Sequence, residues 1–378
     1  MEEAEVTVIC IDCRYIGDKP SGIGEVTEAL VRHLPDAAPD LNFLLLRNSK
    51  KVGRLSEASN VEEITLKSAA NGPATLWWLP RIVDLAQVDL FHAPFNILPA
   101  GLNMKTVTTI HDIMWLTHPN WCNPKVYGQI ERRFYAKGIG QALDHSNAIA
   151  TVSNATRSEI LNLRPDLERK INVTQSGVSD QFRKVALDHK TREAVGLKPN
   201  QRFVLTAGQF APYKNHEGAL RAFAKAFNSH DDISLVMVQR RGAGAKDLAA
   251  LAHELGIAAR VHFTGPVSFS ELLQLYSGAL ALLHPSLCEG FGNPIAEAMA
   301  CGCPVITSNQ SAMPEVTSGA GLLVNPLDTQ EIGAALRRVA FEPELAKALS
   351  EKGLSRAKEL TWKRFAQQNL DIYRKLLA

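Results

Sequence analysis

The sequence has no apolar run of the roughly 18–20 residues that a membrane-spanning helix needs. It opens Met1-Glu2-Glu3, acidic where a secretory leader is basic, and no leader-like apolar stretch follows. A cytoplasmic protein is the expectation. Charge of one sign is also missing. Lys and Arg number 41 against 39 Asp and Glu, a net +2, which gives no basis for a nucleic-acid partner. Cysteine is sparse, with six in 378 residues. Cys10 and Cys13 have redox-motif spacing, but one lies in an apolar run and the other at its end. Cys301 and Cys303 flank a glycine, and no second Cys or His pair stands near enough for a zinc site. Small buried thiols are the simpler reading. Low-complexity tracts and repeats of about 20–50 residues are absent as well.

What remains is an ordinary globular composition long enough for two domains. Apolar runs that read as strands alternate with helical segments from end to end, which predicts α/β architecture with parallel sheets. In the first half the strand candidates are 6–12, 42–46, 89–93, 105–112, 147–153 and 170–174, with helices such as 24–33 and 155–163 between them. The charged stretch 183–201, with Pro199-Asn200, reads as a linker. A second series follows at 203–207, 233–238, 261–263, 279–283 and 305–307, and beyond Asp328 the chain is nearly all helical. Two Rossmann-like domains are expected.

The most telling stretch is Ser286–Pro304. It lies between two buried-strand candidates and contains Glu289-Gly290-Phe291-Gly292-Asn293-Pro294. Asn293 suits a helix N-cap, Pro294 the first helical position and Gly302 the left-handed stop. The glycines let a ligand approach bare backbone, and the helix start behind them offers unpaired N–H groups to an anion. Glu289 precedes that helix and Glu297 lies about one turn inside it. Packing gives no reason for Glu after a buried strand, since an unpaired buried carboxylate is costly. An anion flanked by hydroxyl-gripping carboxylates fits a nucleotide-sugar. Three further groups lie at strand ends, where ligands of parallel sheets bind. Gly22-Ile23-Gly24 opens a helix after the first strand. His111-Asp112 ends another, with His92 and Asn96 as lesser candidates. Gly208-Gln209 leads to Lys214 in the second half.

Glu289 and Glu297 match the Glu-x7-Glu signature of retaining glycosyltransferases of family 4, which have the GT-B fold. The resemblance covers most of the chain and continues through Gly302-Cys303-Pro304-Val305-Ile306, Pro314-Glu315 and Gly321–Asp328. It implies two Rossmann-like domains facing each other across a deep cleft. Residues 1–185 would be the acceptor side, 186–360 the donor side, and 361–378 a helix crossing back to the first domain. By resemblance, Glu297 grips the ribose, and Glu289 orients the transferred hexose with His111 and Asp112 near it. The diphosphate would meet the backbone from Gly22 to Gly24 and that of Phe291, Gly292 and Asn293, together with Lys214, and Gly208, Gln209 and Gly290 would also bind the donor. Gln209 stands where many members carry Arg. That omits a charge-assisted bond worth about 1.5–3 kcal/mol, unless Arg240 or Arg241 replaces it. The chain has no Asp-x-Asp, so neither a metal nor another cofactor is expected.

The implied reaction moves a hexose from a nucleotide-sugar to a glycan or lipid-linked acceptor. The donor would be GDP-mannose, by likeness to bacterial mannosyltransferases, with UDP-hexoses as the alternative. A nucleotide-sugar epimerase, an oxidoreductase and a non-catalytic binding module are the rival classes. The oxidoreductase is disfavoured because Arg47, not an acidic residue, ends the second strand. Arg47, Lys50, Lys51 and Arg54 form either a solvated loop or a contact with an anionic surface, the inner membrane face or a pyrophosphate-linked lipid. Trp77 and Trp78 would add an apolar foot there, although core packing is the preferred reading for them.

Overall fold

The computed structural model describes residues 7–17, 21–123, 128–238 and 244–378. The chain divides into two compact units, Met1–Gly177 with Trp362–Ala378, and Val178–Thr361. Among the described residues the first unit has seven strands: β1 (Val8–Asp12), β2 (Asn42–Asn48), β3 (Val61–Leu66), β4 (Leu90–Ala93), β5 (Lys105–Ile110), β6 (Ala148–Thr151) and β7 (Ile171–Val173). They form one parallel sheet in the order β3-β2-β1-β4-β5-β6-β7. A parallel sheet must be covered on both faces, and β1 shows how this is done. Its Ile9 and Ile11 join a core with Leu30 and Leu34 of the Gly22–Ala37 helix and with Phe365 and Leu370 of the Trp362–Leu377 helix. Cys10 points the other way, into a core with Phe91, Ile139 and Ile160. The thiols of Cys10 and Cys13 are buried and unbonded, and burial pushes both well above the ordinary thiol range.

The last helix is fixed by a polar contact as well. Tyr373 Oη lies 2.5 Å from His92 Nδ1, and the other ring nitrogen of His92 meets Thr109 Oγ1 at 2.8 Å. Burial lowers the His92 imidazole to about 3. His92 is thus a neutral core residue and presents nothing to a ligand, contrary to its candidacy in the sequence.

The second unit repeats the plan with β8 (Arg202–Ala207), β9 (Ile233–Val238), β10 (Val261–Phe263), β11 (Ala281–His284), β12 (Val305–Ser308) and β13 (Gly321–Val324). The described strands are parallel, in the order β10-β9-β8-β11-β12-β13. The strand order reverses between β8 and β11. The crevice outside the carboxyl ends at such a reversal is where doubly wound sheets bind ligands.

Two expectations need correction, and one strand is new. Residues 183–201 do not form a free linker. They contain the His189–Ala194 helix, capped by Asp188, and the Val185 and Asp188 amides bond Ser277 Oγ and Gln274 Oε1 of the second unit. The units divide at Gly177, earlier than residue 185, because the Val178 amide already bonds Leu360 O at 2.9 Å. Strand β3 was not expected. It is an edge strand interrupted by Glu62 and Glu63, and it pairs with β2 alone.

Candidate functional site

The loops after β8 and β11 hold most of the residues singled out above. Gly208 leaves β8 at φ +139, a conformation that suits glycine. The chain then runs to a short 3-10 turn, Pro212–Lys214. Asn215, at φ +53, caps the His216–Ala226 helix through Oδ1, which accepts from the Gly218 amide at 3.2 Å. Its Nδ2 donates to Pro285 O at 3.1 Å and to Pro326 O at 2.7 Å. The Leu287 amide adds a bond to Tyr213 O at 2.7 Å. One asparagine side chain thereby ties together the loops after β8, β11 and β13.

The same ties bring Lys214 to Glu289. Lys214 Nζ lies 2.7 Å from Glu289 Oε1, with the two residues 9% and 8% exposed. His284 Nε2 and Ser286 Oγ each reach the same oxygen at 2.8 Å. Burial by itself would raise the Glu289 carboxyl, but the Lys214 charge and the His284 hydrogen bond outweigh it and hold the group at about 2. Lys214 shows the complement. Burial would lower its ammonium, and Glu289, with a smaller contribution from Glu297, keeps it above the ordinary lysine value. The pair is therefore ionised at neutral pH. Ser311, at φ +52 after β12, clamps the Glu289 backbone. Its Oγ donates to Glu289 O at 2.7 Å and accepts from the Glu289 amide at 3.3 Å. A non-glycine residue held in this region stores strain on the order of 1 kcal/mol.

The turn Gly290-Phe291-Gly292 leads into the Asn293–Ala300 helix. Gly292, at φ +96, takes the cap position expected of Asn293, so Pro294 falls in the first turn rather than at its first residue. Pro294 has no N–H and the Ile295 amide bonds Gly292 O. Donors for an anion at this helix end are thus to be sought in the turn before it, at Phe291 and Gly292. Glu297 lies one turn further on, half-buried, and its Oε2 accepts from the Tyr276 hydroxyl at 2.8 Å. Burial, then the Glu297 charge, push the Tyr276 phenol well above its usual range, so it stays a donor. Gly302 ends the helix at φ +71, as expected.

Gln209 has an exposed side chain, and its carbonyl oxygen lies 3.3 Å from His216 Nε2. Arg240 and Arg241, the candidate replacements for a missing arginine, lie outside the described residues. In the first unit, Gly22 opens its helix, but the Gly24 amide is taken by the Ser21 Oγ cap at 3.0 Å. An anion at this end would meet the amides of Gly22 and Ile23. His111 is held on three sides: its amide donates to Asn96 Oδ1 at 2.7 Å, its Nε2 to Pro94 O at 2.9 Å, and its carbonyl accepts from Thr156 Oγ1 at 3.0 Å. Burial lowers its imidazole and favours the neutral ring, and the Pro94 carbonyl, which can only accept, puts the single proton on Nε2 and leaves Nδ1 as the acceptor. Asp112 Oδ1 accepts from the Met114 amide at 3.0 Å, which makes it a turn former as well as a ligand candidate. No group of His, Cys, Asp and Glu among the described residues is placed to hold a metal ion.

Four contributors escaped the sequence reading: His284, Ser286, Tyr276 and Ser311. Only Ser286 lay within the stretch singled out there. Tyr276 and Ser311 lie some twenty residues from the glutamates they contact.

The chain resembles known proteins over most of its length. Residues 20–182 match the family described as Glycosyltransferase Family 4, and residues 188–356 the one described as Glycosyl transferases group 1. O-antigen chain mannosyltransferase B of Escherichia coli is 30% identical, over 94% of this chain and 96% of its own length. O-antigen chain mannosyltransferase RfbU of Salmonella typhimurium is 30% identical over 62% of this chain and 61% of its own. Among solved structures, WaaG, a glycosyltransferase involved in lipopolysaccharide biosynthesis, superposes with a TM-score of 0.75 at 18% identity, covering 97% of this chain and 99% of that one.

Proposed function

The chain belongs to glycosyltransferase family 4, and on that premise we propose that it transfers mannose from GDP-mannose to a glycan or lipid-linked saccharide in cell-surface polysaccharide synthesis. The observation that carries the reading is the pair of carboxylates about one helix start, with Lys214 on Glu289 and Tyr276 on Glu297. The names of the two O-antigen relatives support mannose over other hexoses. Glu297 grips the ribose hydroxyls and Glu289 the hexose. Lys214, with the amides of Phe291 and Gly292, takes the diphosphate charge as it grows. In the first unit, the Gly22–Ile23 amides suit a phosphate, and His111 Nδ1 suits a sugar hydroxyl. The acceptor oxygen bonds the anomeric carbon as the bond to the diphosphate breaks, and the departing phosphate oxygen takes the acceptor's proton. The family's retaining course, with attack from the leaving-group face, supports retention here. An epimerase is a poorer fit, because a carboxyl held at about 2 cannot donate a proton near neutral pH.

Lys214 and the turn amides at the diphosphate make a divalent ion unnecessary in this reading. Labelled GDP-mannose with a lipid-linked saccharide acceptor should therefore give transfer and free GDP at an unchanged rate in EDTA. Loss of transfer in EDTA, restored by Mg2+ or Mn2+, contradicts metal independence. Equal turnover of a UDP-hexose contradicts the donor.

No helix among the described residues is long and apolar enough to cross a membrane. Of the expected basic cluster, Arg47 is turned inward onto Glu63 and the Lys51 carbonyl, while half-exposed Arg54 reaches Glu63 at 3.8 Å and Lys50 stays exposed, a largely solvated loop. The tryptophans differ from expectation. Trp77 and Trp78 of the Pro73–Ile82 helix are 44% and 48% exposed, beside exposed Ile82. Trp77 packs edge-on against Phe134 of the Gly128–His145 helix, which exposes Ile130, Arg132 and Arg133. Tryptophan beside arginine suits an anionic bilayer surface, so we place the peripheral contact with the inner membrane face here. Wild-type protein should float with phosphatidylglycerol vesicles at low salt, and Trp77→Ser/Trp78→Ser should stay behind. Equal flotation of the two proteins removes this face from that role.

A further inference from the structure

Resting on the reading of Glu289 as the hexose-orienting carboxylate, we infer that His284 and Ser286 are its positioning residues. They keep it in place once Lys214 is drawn to the diphosphate. The geometry of one oxygen carries this. Glu289 Oε1 receives Lys214 Nζ at 2.7 Å, His284 Nε2 at 2.8 Å and Ser286 Oγ at 2.8 Å. A carboxylate oxygen has about two lone-pair directions, so three donors on it are one more than it needs. Oε2 has no protein partner among the described residues. The carboxylate is therefore gripped by one oxygen, and the other is left for a hydroxyl.

The three donors are not equivalent. Lys214 is a point charge on a flexible stem, and a nucleoside diphosphate competes for it. His284 ends β11 with its side chain 3% exposed, and Ser286 follows within two residues, fully buried. The His284 carbonyl is itself fixed by Thr307 Oγ1 at 2.7 Å. Ser286 Oγ also stands 3.2 Å from His284 Nε2, so the two support one another. Burial keeps the His284 imidazole below its ordinary value despite the Glu289 bond. Near neutral pH it acts as a neutral N–H donor of fixed tautomer, a role that an amide of similar reach can fill. Without this pair, the carboxylate would follow Lys214 toward the phosphate and leave the sugar.

The test compares His284→Leu, His284→Gln and Glu289→Gln, reading kcat with the preferred donor and GDP affinity by calorimetry. His284→Leu should lower kcat about tenfold with GDP affinity unchanged, and His284→Gln should recover most of the loss. If the leucine variant fails to bind GDP, Ser286→Ala serves as the second probe, with a smaller loss of kcat expected at unchanged GDP affinity. Unchanged kcat in His284→Leu beside a loss in Glu289→Gln overturns the positioning role and leaves the reading of Glu289 standing. Equal losses in His284→Leu and His284→Gln also overturn it, since a donor would then make no difference. Unchanged kcat in all three overturns the reading of Glu289 itself.

Discussion

Lys214→Met should destabilise the second unit by about 3 kcal/mol, the lower end of the cost of leaving a buried charge without its partner. The lower end applies because His284 and Ser286 remain on Glu289. For a domain of this size that is a fall of about 6–12 °C in its calorimetric transition. GDP binding should disappear in the same variant, because the cation that receives the diphosphate has gone. The two losses separate in Lys214→Met/Glu289→Gln, which should regain most of the stability and none of the nucleotide binding. The pH dependence has a definite sign. The folded carboxyl lies at about 2 against an ordinary 4.5. Its stabilising contribution is present above about 4.5 and is lost as the pH falls toward 2. In Lys214→Met the carboxyl no longer gains from a cation and takes up a proton more readily. The stability gap between mutant and wild type should therefore narrow below pH 4.5. A gap that stays constant from pH 7 to pH 3 would mean that Lys214 stabilises the fold by packing and not by charge.

Glu289→Gln and Glu297→Gln should fail in opposite ways. The first should lower kcat about tenfold or more, on the order of 1.4 kcal/mol, while GDP affinity barely moves, because GDP has no hexose. The second should weaken GDP about tenfold and leave turnover of bound donor largely intact. The distinction follows from the neighbours. Glu289 is held on one oxygen by three donors, with Lys214 among them, whereas Glu297 is oriented by the Tyr276 hydroxyl. Contacts that strengthen as positive charge develops at the anomeric carbon appear in kcat, and contacts to the nucleoside appear in binding. If Glu289→Gln weakens GDP and spares turnover, the two carboxylates have exchanged roles.

Features set by neighbouring residues could be read from the sequence. The alternating strands, the glycine stop at Gly302 and a glutamate with no packing reason at 289 all follow from local pattern. What could not be read depends on distance. Tyr276 finds Glu297, Ser311 finds Glu289, and Asn215 finds Pro285 and Pro326 only once β8, β11, β12 and β13 lie side by side. His92 looked like a strand-end ligand because its partner Tyr373 is far along the chain. Strand β3 was hidden because an edge strand tolerates charges such as Glu62 and Glu63. The tryptophans were read as core because large aromatics usually are, and sequence periodicity over a short helix does not say which face meets solvent.

The core shared by β1 and the Trp362–Leu377 helix has a consequence for biosynthesis. A ribosome finishes the seven strands of the first unit long before it makes Phe365, Leu370 and Tyr373. At about 5–20 residues per second the intervening unit takes roughly 10–40 s to emerge. The second unit is contiguous and can close its own core during that interval. The first unit waits with one apolar face of its sheet covered by the Gly22–Ala37 helix but lacking Phe365, Leu370 and Tyr373, so the earliest segment of the nascent chain is still unfinished when its later one can fold.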